Sequence, residues 1–399
     1  MIKHKRWIVG GLAAALLGTC ALIVAVTALT FAQISQEGLR FSAFRFDNVS
    51  AEVTEEQRFT VDTPATLIVK NDFGDIIVTG GDTDEIVVQM HKVAWGATQA
   101  DAEAALATVN VVITQSGNTL TVRYQPPSQV VVIGSVRSNT VDFTITVPTQ
   151  TAVELDTGFG RVAVAKTTGH ADVHSDFGEI TLADVTGAVT ARSSSGKVTA
   201  ERIRAGNDAI ELRSDFGALT LEDAEGGSIS LHSSSGKVDL TDVSTGDKVT
   251  ADTDFGSVTL QHVTAEAYEL QSNSGEITVD GAAGPLMAHT DFGSIKVTNA
   301  QTVTLDLKTN SGSIEFSGAL GAGPHTVKTD FGTIKVSLPK DVKLTVDLKT
   351  DFGKVKSDFP ITVTGEFSNE HLGGALNGGG ESLTVSTNSG DINLEILNP

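Results

Sequence analysis

The amino-acid sequence predicts an all-β protein: a single-stranded β-solenoid, or β-helix, with coils of about 19 residues, preceded by one N-terminal transmembrane helix. Three observations predict this fold. Glycines that end short turns recur every 18 to 21 residues, alternating apolar and polar residues flank these glycines, and an uncharged run of 26 residues lies between Trp7 and Ala32. The recurring glycines are Gly160, Gly178, Gly196, Gly217, Gly236, Gly256, Gly275, Gly293, Gly312, Gly332 and Gly353.

The segments on both sides of each turn glycine have the pattern of strands. Before the turn the pattern is apolar-x-apolar-x-Ser/Thr, as in Ile210 to Ser214, and after it x-apolar-x-apolar, as in Ala218 to Leu221. A period of two predicts strands with one buried face. Two such strands cannot close a core alone, but stacked coils bury a continuous core.

A β-propeller is the alternative architecture. Successive Asp-Phe-Gly turns between Asp176 and Asp330 are 37 to 39 residues apart, which could hold a four-stranded blade. The two halves of each period resemble each other, however. A blade does not require this resemblance and a solenoid does, so we favour the solenoid.

The turns alternate between Asp-Phe-Gly and Ser/Asn-Ser-Gly from Gly178 to Gly332. Asp-Phe-Gly is also the magnesium-binding triplet of protein kinases. It occurs seven times here, without a His-Arg-Asp loop or a glycine-rich phosphate loop. This repetition indicates architecture rather than a kinase centre. The seven triplets begin at Asp72, Asp176, Asp215, Asp254, Asp291, Asp330 and Asp351.

We expect the triplet to form a corner, with Asp hydrogen-bonded in the turn, Phe in the core and Gly at positive φ. Strand parity places Leu212 and Ser214 inward, and therefore also Phe216. Phe on every second coil would have about 9.6 Å of axial room, with Ser between. The predicted structural corner residues are Asp176, Phe177, Gly178, Asp215, Phe216, Gly217, Asp254, Phe255, Gly256, Asp291, Phe292, Gly293, Asp330, Phe331 and Gly332.

The hydroxyl residues that precede the turns share the inward face. We expect them to form a ladder that satisfies backbone groups at the corner. They are Ser175, Ser193, Ser214, Ser233, Thr253, Ser272, Thr290, Thr309, Thr329 and Thr350.

Four segments are expected along the chain: a cytoplasmic stub and transmembrane anchor (1–32), a linker (33–60), an N-terminal β region with one short helix and the start of the solenoid (61–155), and the regular solenoid with a C-terminal cap (156–399). As a helix, residues 7–32 would span about 39 Å, enough to cross a hydrocarbon core of about 30 Å. A cleavable signal peptide is the alternative, although its apolar region is normally shorter. Three basic residues before this run would keep the N-terminus cytoplasmic and the bulk extracytoplasmic.

The two ends of the β region are less regular. The alanine-rich segment 98–108 predicts the helix, and strands are expected at 110–113, 119–124 and 141–147. Near the C-terminus, a further strand-turn-strand unit (383–396) follows a glycine-rich excursion (373–380) that we interpret as a terminal cap.

Charge and cysteine content restrict the function. The chain has 28 basic and 49 acidic residues, and removing the three N-terminal positive charges leaves 25 − 49 = −24 for the exported part. This charge argues against nucleic acid or an anionic membrane surface as a partner. The single cysteine, Cys20, lies in the apolar run, so the exported part has neither disulfides nor reactive thiols.

The chain resembles a known family. The segments "LIVKNDFGDIIVTGGDTDEIVV" and "FTITVP" and the serial "SDFGEITL" and "SSSGKVTA" units are similar to the bacterial putative-adhesin family of β-strand-repeat domains of unknown function, over roughly residues 60–397. The resemblance implies a right-handed β-helix-like fold and an envelope location. It brings no set of active residues.

No catalytic, cofactor-binding or metal site is predicted. Neighbouring Asp-Phe-Gly aspartates would lie about 9.6 Å apart, too far to share a calcium ion. Three histidines, His174, His232 and His289, occupy one outward position but lie three coils apart. An outward threonine row resembles the flat arrays of ice-binding solenoids, but Asp239 interrupts it and we interpret it as ordinary strand threonine; it comprises Thr181, Thr199, Thr220, Thr259 and Thr278.

These observations predict a membrane-anchored, non-enzymatic surface scaffold or adhesin-like binding module. Its partner would be an unidentified surface ligand, a protein or a glycan, without a cofactor. An envelope sensor that acts through a membrane partner is the alternative, although its cytoplasmic end would be very short. A polysaccharide-acting enzyme is less favoured, because coils of 18 to 21 residues leave little room for long site-forming loops.

Overall fold

The computed structural model describes residues 49–124 and 139–397. The predicted transmembrane segment (7–32) and most of the predicted linker lie outside these ranges. Within them, no helix is long and apolar enough to cross a membrane.

The described chain is all-β except for one short helix. Its N-terminal part comprises β1 (Val49–Thr60), β2 (Ala65–Phe73), β3 (Ile76–Gly81), β4 (Glu85–Gly96), α1 (Gln99–Leu106), β5 (Val111–Ser116), β6 (Thr119–Tyr124) and β7 (Thr140–Pro148). The regular coils comprise β8 (Thr151–Phe159), β9 (Val162–Ala165), β10 (Ala171–Ser175), β11 (Ile180–Thr186), β12 (Val189–Ser193), β13 (Val198–Arg204), β14 (Ala209–Ser214), β15 (Leu219–Gly226), β16 (Ser228–Ser233), β17 (Val238–Thr245), β18 (Lys248–Thr253), β19 (Val258–Gln261), β20 (Ala267–Ser272), β21 (Ile277–Asp280), β22 (Ala283–Thr290), β23 (Ile295–Ser311), β24 (Ile314–Leu320), β25 (His325–Phe331) and β26 (Ile334–Leu338). The C-terminal part comprises β27 (Leu344–Phe352), β28 (Val355–Ser357), β29 (Ile361–Phe367), β30 (His371–Leu376), β31 (Glu381–Ser389) and β32 (Ile392–Ile396).

The regular coils form two parallel stacks, with one strand of a coil in each stack, except that the long strand β23 contributes to both. Strand β14 pairs in register with β12 and β16, while β15 pairs with β13 and β17. Apolar side chains therefore form unbroken rows: Leu212 lies beside Leu231, and Leu219 beside Val238. These rows face inward and are fully buried, which is the continuous core that the period-two pattern predicts. The hand of the solenoid stays a prediction.

The second corner of many coils contains a non-glycine residue at positive φ. Aspartate, which tolerates this region better than most residues, occupies it in three coils. Arg202, itself at positive φ, pairs with the aspartate of the coil before it, Asp184, and Nε lies 2.6 Å from Oδ1. The residues are Lys166, Asp184, Arg202, Asp223, Asp242 and His262, with φ between 50° and 61°.

At the N-terminal end the chain doubles back, so the first coil in sequence is not the outermost. Strands β2 and β3 lie between the coil of β8 and β9 and an outer pair, β6 and β7. Antiparallel strands then cover the open edges, since β5 pairs with β6 and β4 pairs with β7 and β1. Covering the edges leaves fewer unpaired backbone groups available for aggregation.

Strand β1 occupies part of the segment expected to be a linker. It is almost wholly exposed, so it lacks the alternating apolar signal of a strand. Antiparallel pairing along the full length of β4 holds it in place. A buried ammonium adds to this pairing, since Lys92 Nζ lies 2.8 Å from the Glu55 carboxylate.

The C-terminal end is also rearranged relative to the sequence. Strands β31 and β32 lie between two coils that both precede them in sequence. One is the coil of β25 and β26, and the other is the coil of β27 and β28. The unit at 383–396 is therefore the penultimate coil in space. The glycine-rich segment contributes β30, which pairs antiparallel with β27 and β29 beyond the last parallel strand.

The short helix lies where the sequence predicts it. Thr98 is its N-cap, with extended φ and ψ, and the Thr98 hydroxyl accepts a hydrogen bond from the Asp101 amide at 3.2 Å. The helix buries Ala102.

Candidate functional site: an exposed phenylalanine edge

The Asp-Phe-Gly bend turns its phenylalanine outward. In the coil of β14 and β15, Ser214 is fully buried, Phe216 is 70% exposed, and Gly217 is buried. The prediction that the corner phenylalanines lie in the core is wrong, since they are 55–70% exposed; they are Phe177, Phe216, Phe255, Phe292 and Phe331. The inward alternation breaks immediately after the serine, because Asp215 and Phe216 both point outward, and the glycine takes the inward position.

Contact between coils requires the glycine, and the prediction that the glycine lies at positive φ is wrong. A Cβ atom built on Gly217 would lie 2.0 Å from the carbonyl oxygen of Gly196, and φ of Gly217 is not positive. The same close approach recurs at the bends along the stack, for example between Gly236 and Gly217. Because no side chain fits at this inward position, the neighbouring phenylalanine points to solvent.

The predicted hydroxyl ladder is confirmed. The Ser214 hydroxyl donates to the Gly196 carbonyl oxygen of the preceding coil at 3.0 Å and accepts from the amide of Gly217 at 2.8 Å. All ten predicted residues donate to a bend carbonyl of the neighbouring coil. Thr157 and Thr387, which were not predicted, do the same.

The outward phenylalanines form a row along the stack that we call the Phe edge. Its residues are Phe73, Phe159, Phe177, Phe216, Phe255, Phe292, Phe331 and Phe352. The last five are 64–78% exposed. Because neighbouring strands in a stack are about 4.8 Å apart, rings on alternate coils are about 9.6 Å apart along the edge.

The first three rings of the edge lie on consecutive coils and stack. Phe73 and Phe159 have centroids 5.2 Å apart, and Phe159 and Phe177 have centroids 4.8 Å apart with planes inclined by 7°. These distances lie within the range of favourable aromatic pairs. Rings on adjacent coils can therefore stack at the spacing of the coils.

From Phe177 onward, a serine separates successive rings. The alternation holds in space to the last coil, because the inserted β31 places Ser389 between Phe331 and Phe352. In sequence, two Asp-Phe-Gly triplets follow each other there, which breaks the pattern. The serines are Ser195, Ser235, Ser274, Ser311 and Ser389.

A polar row flanks the Phe edge on one side. Here the aspartates of the Asp-Phe-Gly bends alternate with the Ser or Asn that begins each Ser-Gly bend. Asn273 donates its amide N–H to Asp254 at 2.8 Å, and Asn310 donates to Asp291 at the same distance. The aspartates therefore accept hydrogen bonds between coils.

The histidines of the outward row remain separate from one another. His174 lies 3.2 Å from Asp176, and His289 lies 3.3 Å from Asp306. His232 also contacts an aspartate, Asp252. Among the described residues, no group of three or more His, Cys, Asp or Glu side chains is arranged to hold a metal ion.

The threonine row has the register that the sequence predicts. Thr181, Thr199 and Thr220 lie side by side, and Asp239 separates Thr220 from Thr259. Lys296, Glu315 and Lys335 continue the row. This interrupted polar face is typical of an ordinary solvent-facing strand row.

The sequence contained a signal for the Phe edge. Serine occupies the position of phenylalanine on every second coil, and a core position would rarely accept both residues. A position that accepts either residue is typical of a surface.

Two parallel stacks joined by short corners define the regular coils, residues 151–338, as a parallel β-solenoid. The chain belongs to the Toastrack DUF4097 family, whose profile matches residues 75–254 and 218–395. The family-level resemblance to adhesin-like repeat domains of unknown function is thereby confirmed. No curated protein matches the sequence.

Three solved structures align over most of the chain at low identity. They are a putative cell adhesion protein from Clostridium sporogenes (11% identity, 86% of this chain and 100% of that one, TM-score 0.18), a putative adhesin from Bacteroides fragilis (12%, 88% and 99%, 0.29) and a putative lipid binding protein from Parabacteroides distasonis (12%, 88% and 98%, 0.29).

Proposed function

We propose that this protein is a membrane-anchored, extracytoplasmic scaffold that binds a surface ligand without catalysis, in the manner of an adhesin, and that the Phe edge is its binding surface. The observation that carries the proposal is the row of five phenylalanine rings, each 64–78% exposed, along one edge. Exposed apolar surface concentrated along one edge marks interaction sites in soluble proteins.

The backbone that carries the rings is held in place before a ligand arrives. The amide of Phe216 donates to the Ser194 carbonyl oxygen at 3.1 Å, and the amide of Phe255 donates to the Ser234 carbonyl oxygen at 3.1 Å. Because these hydrogen bonds and the glycine contacts fix the bend, little backbone order would be lost on binding. Such preorganisation strengthens binding.

The repetition of the Phe edge supports binding by avidity. Equivalent rings on alternate coils can each make the same weak contact with a ligand. Because these contacts are linked, their combined affinity exceeds that of a single contact. Deletion of residues 217–255 removes two coils, and because it joins Phe216 to Gly256 it preserves a complete Asp-Phe-Gly bend. We expect this deletion to weaken binding in a graded way.

Binding of the full chain to a glycan array and to cell-surface proteins tests the proposal. The combined variant Phe216→Ser, Phe255→Ser and Phe292→Ser places at three bends the residue that alternate coils already carry, so the fold should be preserved. We expect this variant to lose most binding, while alanine at Thr199, Thr220 and Thr259, away from the bends, leaves it unchanged.

Three single variants examine whether binding is spread along the chain. Asp215→Ala, His232→Ala and Asp291→Ala should each retain binding. Total loss of binding in one of them, with the circular dichroism spectrum unchanged, would show a localised site and contradict the proposal. If the triple serine variant binds as the wild type does, the Phe edge is not the binding surface.

A further inference from the structure

The alternation of rings and serines makes the Phe edge complementary to itself. In space, the row from Ser195 to Phe352 contains five serines and five phenylalanines in strict alternation; in order along the stack they are Ser195, Phe216, Ser235, Phe255, Ser274, Phe292, Ser311, Phe331, Ser389 and Phe352. The edge has a gap at each serine, because the rings on either side are about 9.6 Å apart. One further ring fits in such a gap, because adjacent rings in this protein already stack at 4.8 Å.

We propose that the partner of the Phe edge is a second copy of this chain, whose phenylalanines interdigitate with those of the first about a twofold axis. This inference rests on the proposed function of the edge as a binding surface. The twofold axis is perpendicular to the stack and passes between Ser274 and Phe292. The row begins with serine, ends with phenylalanine and alternates between them. The rotation therefore places every ring opposite a serine of the second copy.

The pairing that follows is isologous, as most dimer interfaces are. Phe292 occupies the gap at Ser274 of the other copy, Phe255 the gap at Ser311, and Phe216 the gap at Ser389. Phe331 and Phe352 occupy the gaps at Ser235 and Ser195. The inserted strand β31 supplies Ser389, so the rearranged C-terminus completes the alternation on which the pairing depends.

The polar row beside the edge has the same complementarity. The same rotation brings each Asp-Phe-Gly aspartate opposite an Asn or Ser of the other copy: Asp291 faces Asn273, and Asp254 faces Asn310. Amide and hydroxyl donors therefore meet carboxylates, and the two aspartate rows do not oppose each other directly. Hydrogen bonds to a charged group are stronger than those between neutral groups.

The exposed area is sufficient for a stable contact. A large aromatic side chain buries about 150–250 Å² when fully covered. Five rings with 64–78% exposure therefore present on the order of 700 Å² per copy. Specific interfaces bury about 800 Å² per partner, and the bend backbone and flanking polar row would supply the remainder.

Net charge opposes this association at long range. Each copy carries a formal charge of −21, so two copies repel. Salt screens this repulsion, while contact between apolar rings persists in salt. Dimerisation should therefore strengthen as ionic strength rises, the opposite of what an electrostatic partner would show.

Sedimentation velocity of the full chain in a mild non-ionic detergent, at about 0.05 M and about 0.5 M salt, tests the proposal. We expect a concentration-dependent dimer that is tighter at high salt. Phe255→Ser and Phe292→Ser should each raise the dissociation constant about tenfold or more, because each substitution removes two rings from a twofold interface. Thr259→Ala should leave the constant unchanged. All variants keep the N-terminal segment, so association through that segment is common to them.

The decisive variant is Ser274→Phe. It adds a ring between Phe255 and Phe292, where stacking like that of Phe159 and Phe177 is available, and it fills the two central gaps of the interface. We expect this variant to fold and to remain monomeric. A non-specific apolar edge would instead associate more strongly after gaining a ring, and that result would overturn the proposal.

A wild-type chain that stays monomeric at both salt concentrations would also overturn it. The array and cell-surface measurements with the triple serine variant separate this failure from failure of the proposed function. If the chain is monomeric but that variant still loses ligand binding, the edge binds a different partner. If both measurements are negative, the edge is not a binding surface.

Discussion

Ser214 joins two successive coils, because its buried hydroxyl donates to the Gly196 carbonyl oxygen at 3.0 Å and accepts from the Gly217 amide at 2.8 Å. Removing the hydroxyl leaves a carbonyl oxygen and an amide without these partners at the corner. We expect Ser214→Ala to lower the free energy of unfolding by about 1–3 kcal/mol. Chemical unfolding followed by circular dichroism measures it. Ser235→Ala, at an exposed bend serine, is the control. Equal changes in the free energy of unfolding at the two positions would contradict the role of the ladder.

The glycine of the bend is required by space. A Cβ on Gly217 would lie 2.0 Å from a backbone oxygen, whereas nothing lies within 4 Å of a Cβ on Gly246. Gly217→Ala must therefore separate two coils, and we expect it to destabilise the fold by about 3 kcal/mol or more. Gly246→Ala should change stability by less than about 0.5 kcal/mol. Similar unfolding midpoints for the two variants would show that the coils can separate without cost.

Two phenylalanines lie in opposite environments, so substituting each of them distinguishes an effect on stability from an effect on binding. Phe316 is fully buried in β24, and Phe255 is 70% exposed. Phe316→Ala should destabilise the protein by about 3–5 kcal/mol. Phe255→Ala should change stability by less than about 1 kcal/mol, since it removes no core contact. Thermal unfolding distinguishes the two, and a large loss at Phe255 would indicate that the ring packs inside.

Stability should depend on pH through His325. This residue is buried, and burial lowers the pKa of its imidazole; the Gly321 carbonyl and Glu381 act in the opposite direction with less effect. Its Nδ1 accepts a hydrogen bond from the Leu305 amide at 3.3 Å, which a proton on Nδ1 would prevent. Because the folded pKa lies below the unfolded value of about 6.5, the unfolded state binds the proton first on acidification. The stability contribution is therefore complete above pH of about 6.5 and is lost as pH falls below it.

Comparison of wild type with His325→Gln measures this dependence. Thermal midpoints of the two proteins should differ by a constant amount at and above neutral pH. Below pH of about 6.5 the wild-type midpoint should fall more steeply than that of the variant. Parallel curves across the acidic range would show that His325 does not contribute.

The N-terminal segment can be examined directly. The apolar run 7–32 predicts that the protein fractionates with membranes and retains its N-terminus. Mass spectrometry of the mature protein decides between anchor and signal peptide. A chain that begins at Gln33 would make it a secreted protein and remove the sensor alternative.

Much of the fold could be predicted because its signals are local. The strands flanking Gly217 alternate as written, with Leu212 and Leu219 both buried. The hydroxyl of Ser214 has a defined place relative to the glycine three residues later, so its inward position also followed from the sequence. The cap of the helix at Thr98 was equally local.

The phenylalanine direction could not be derived from parity alone. Two outward residues follow Ser214 before the chain turns inward at Gly217, and strand alternation does not describe a bend. The order of the end coils was also inaccessible. Pairing of β31 with both β25 and β27 joins segments that are distant in sequence, and all three have the same strand pattern.

The sequence by itself determined the strands, the coil length, the buried rows and the hydroxyl ladder, because each depends on alternation over a few residues and on the repeat. Only the tertiary structure decided that the phenylalanines face solvent and that rings and serines alternate along the whole edge. The physical reason is contact between coils. A Cβ atom on Gly217 would lie 2.0 Å from the carbonyl oxygen of Gly196, so the bend has no inward space for a ring. Similarly, the choice among equivalent strand partners at the C-terminal end is made only when the coils stack.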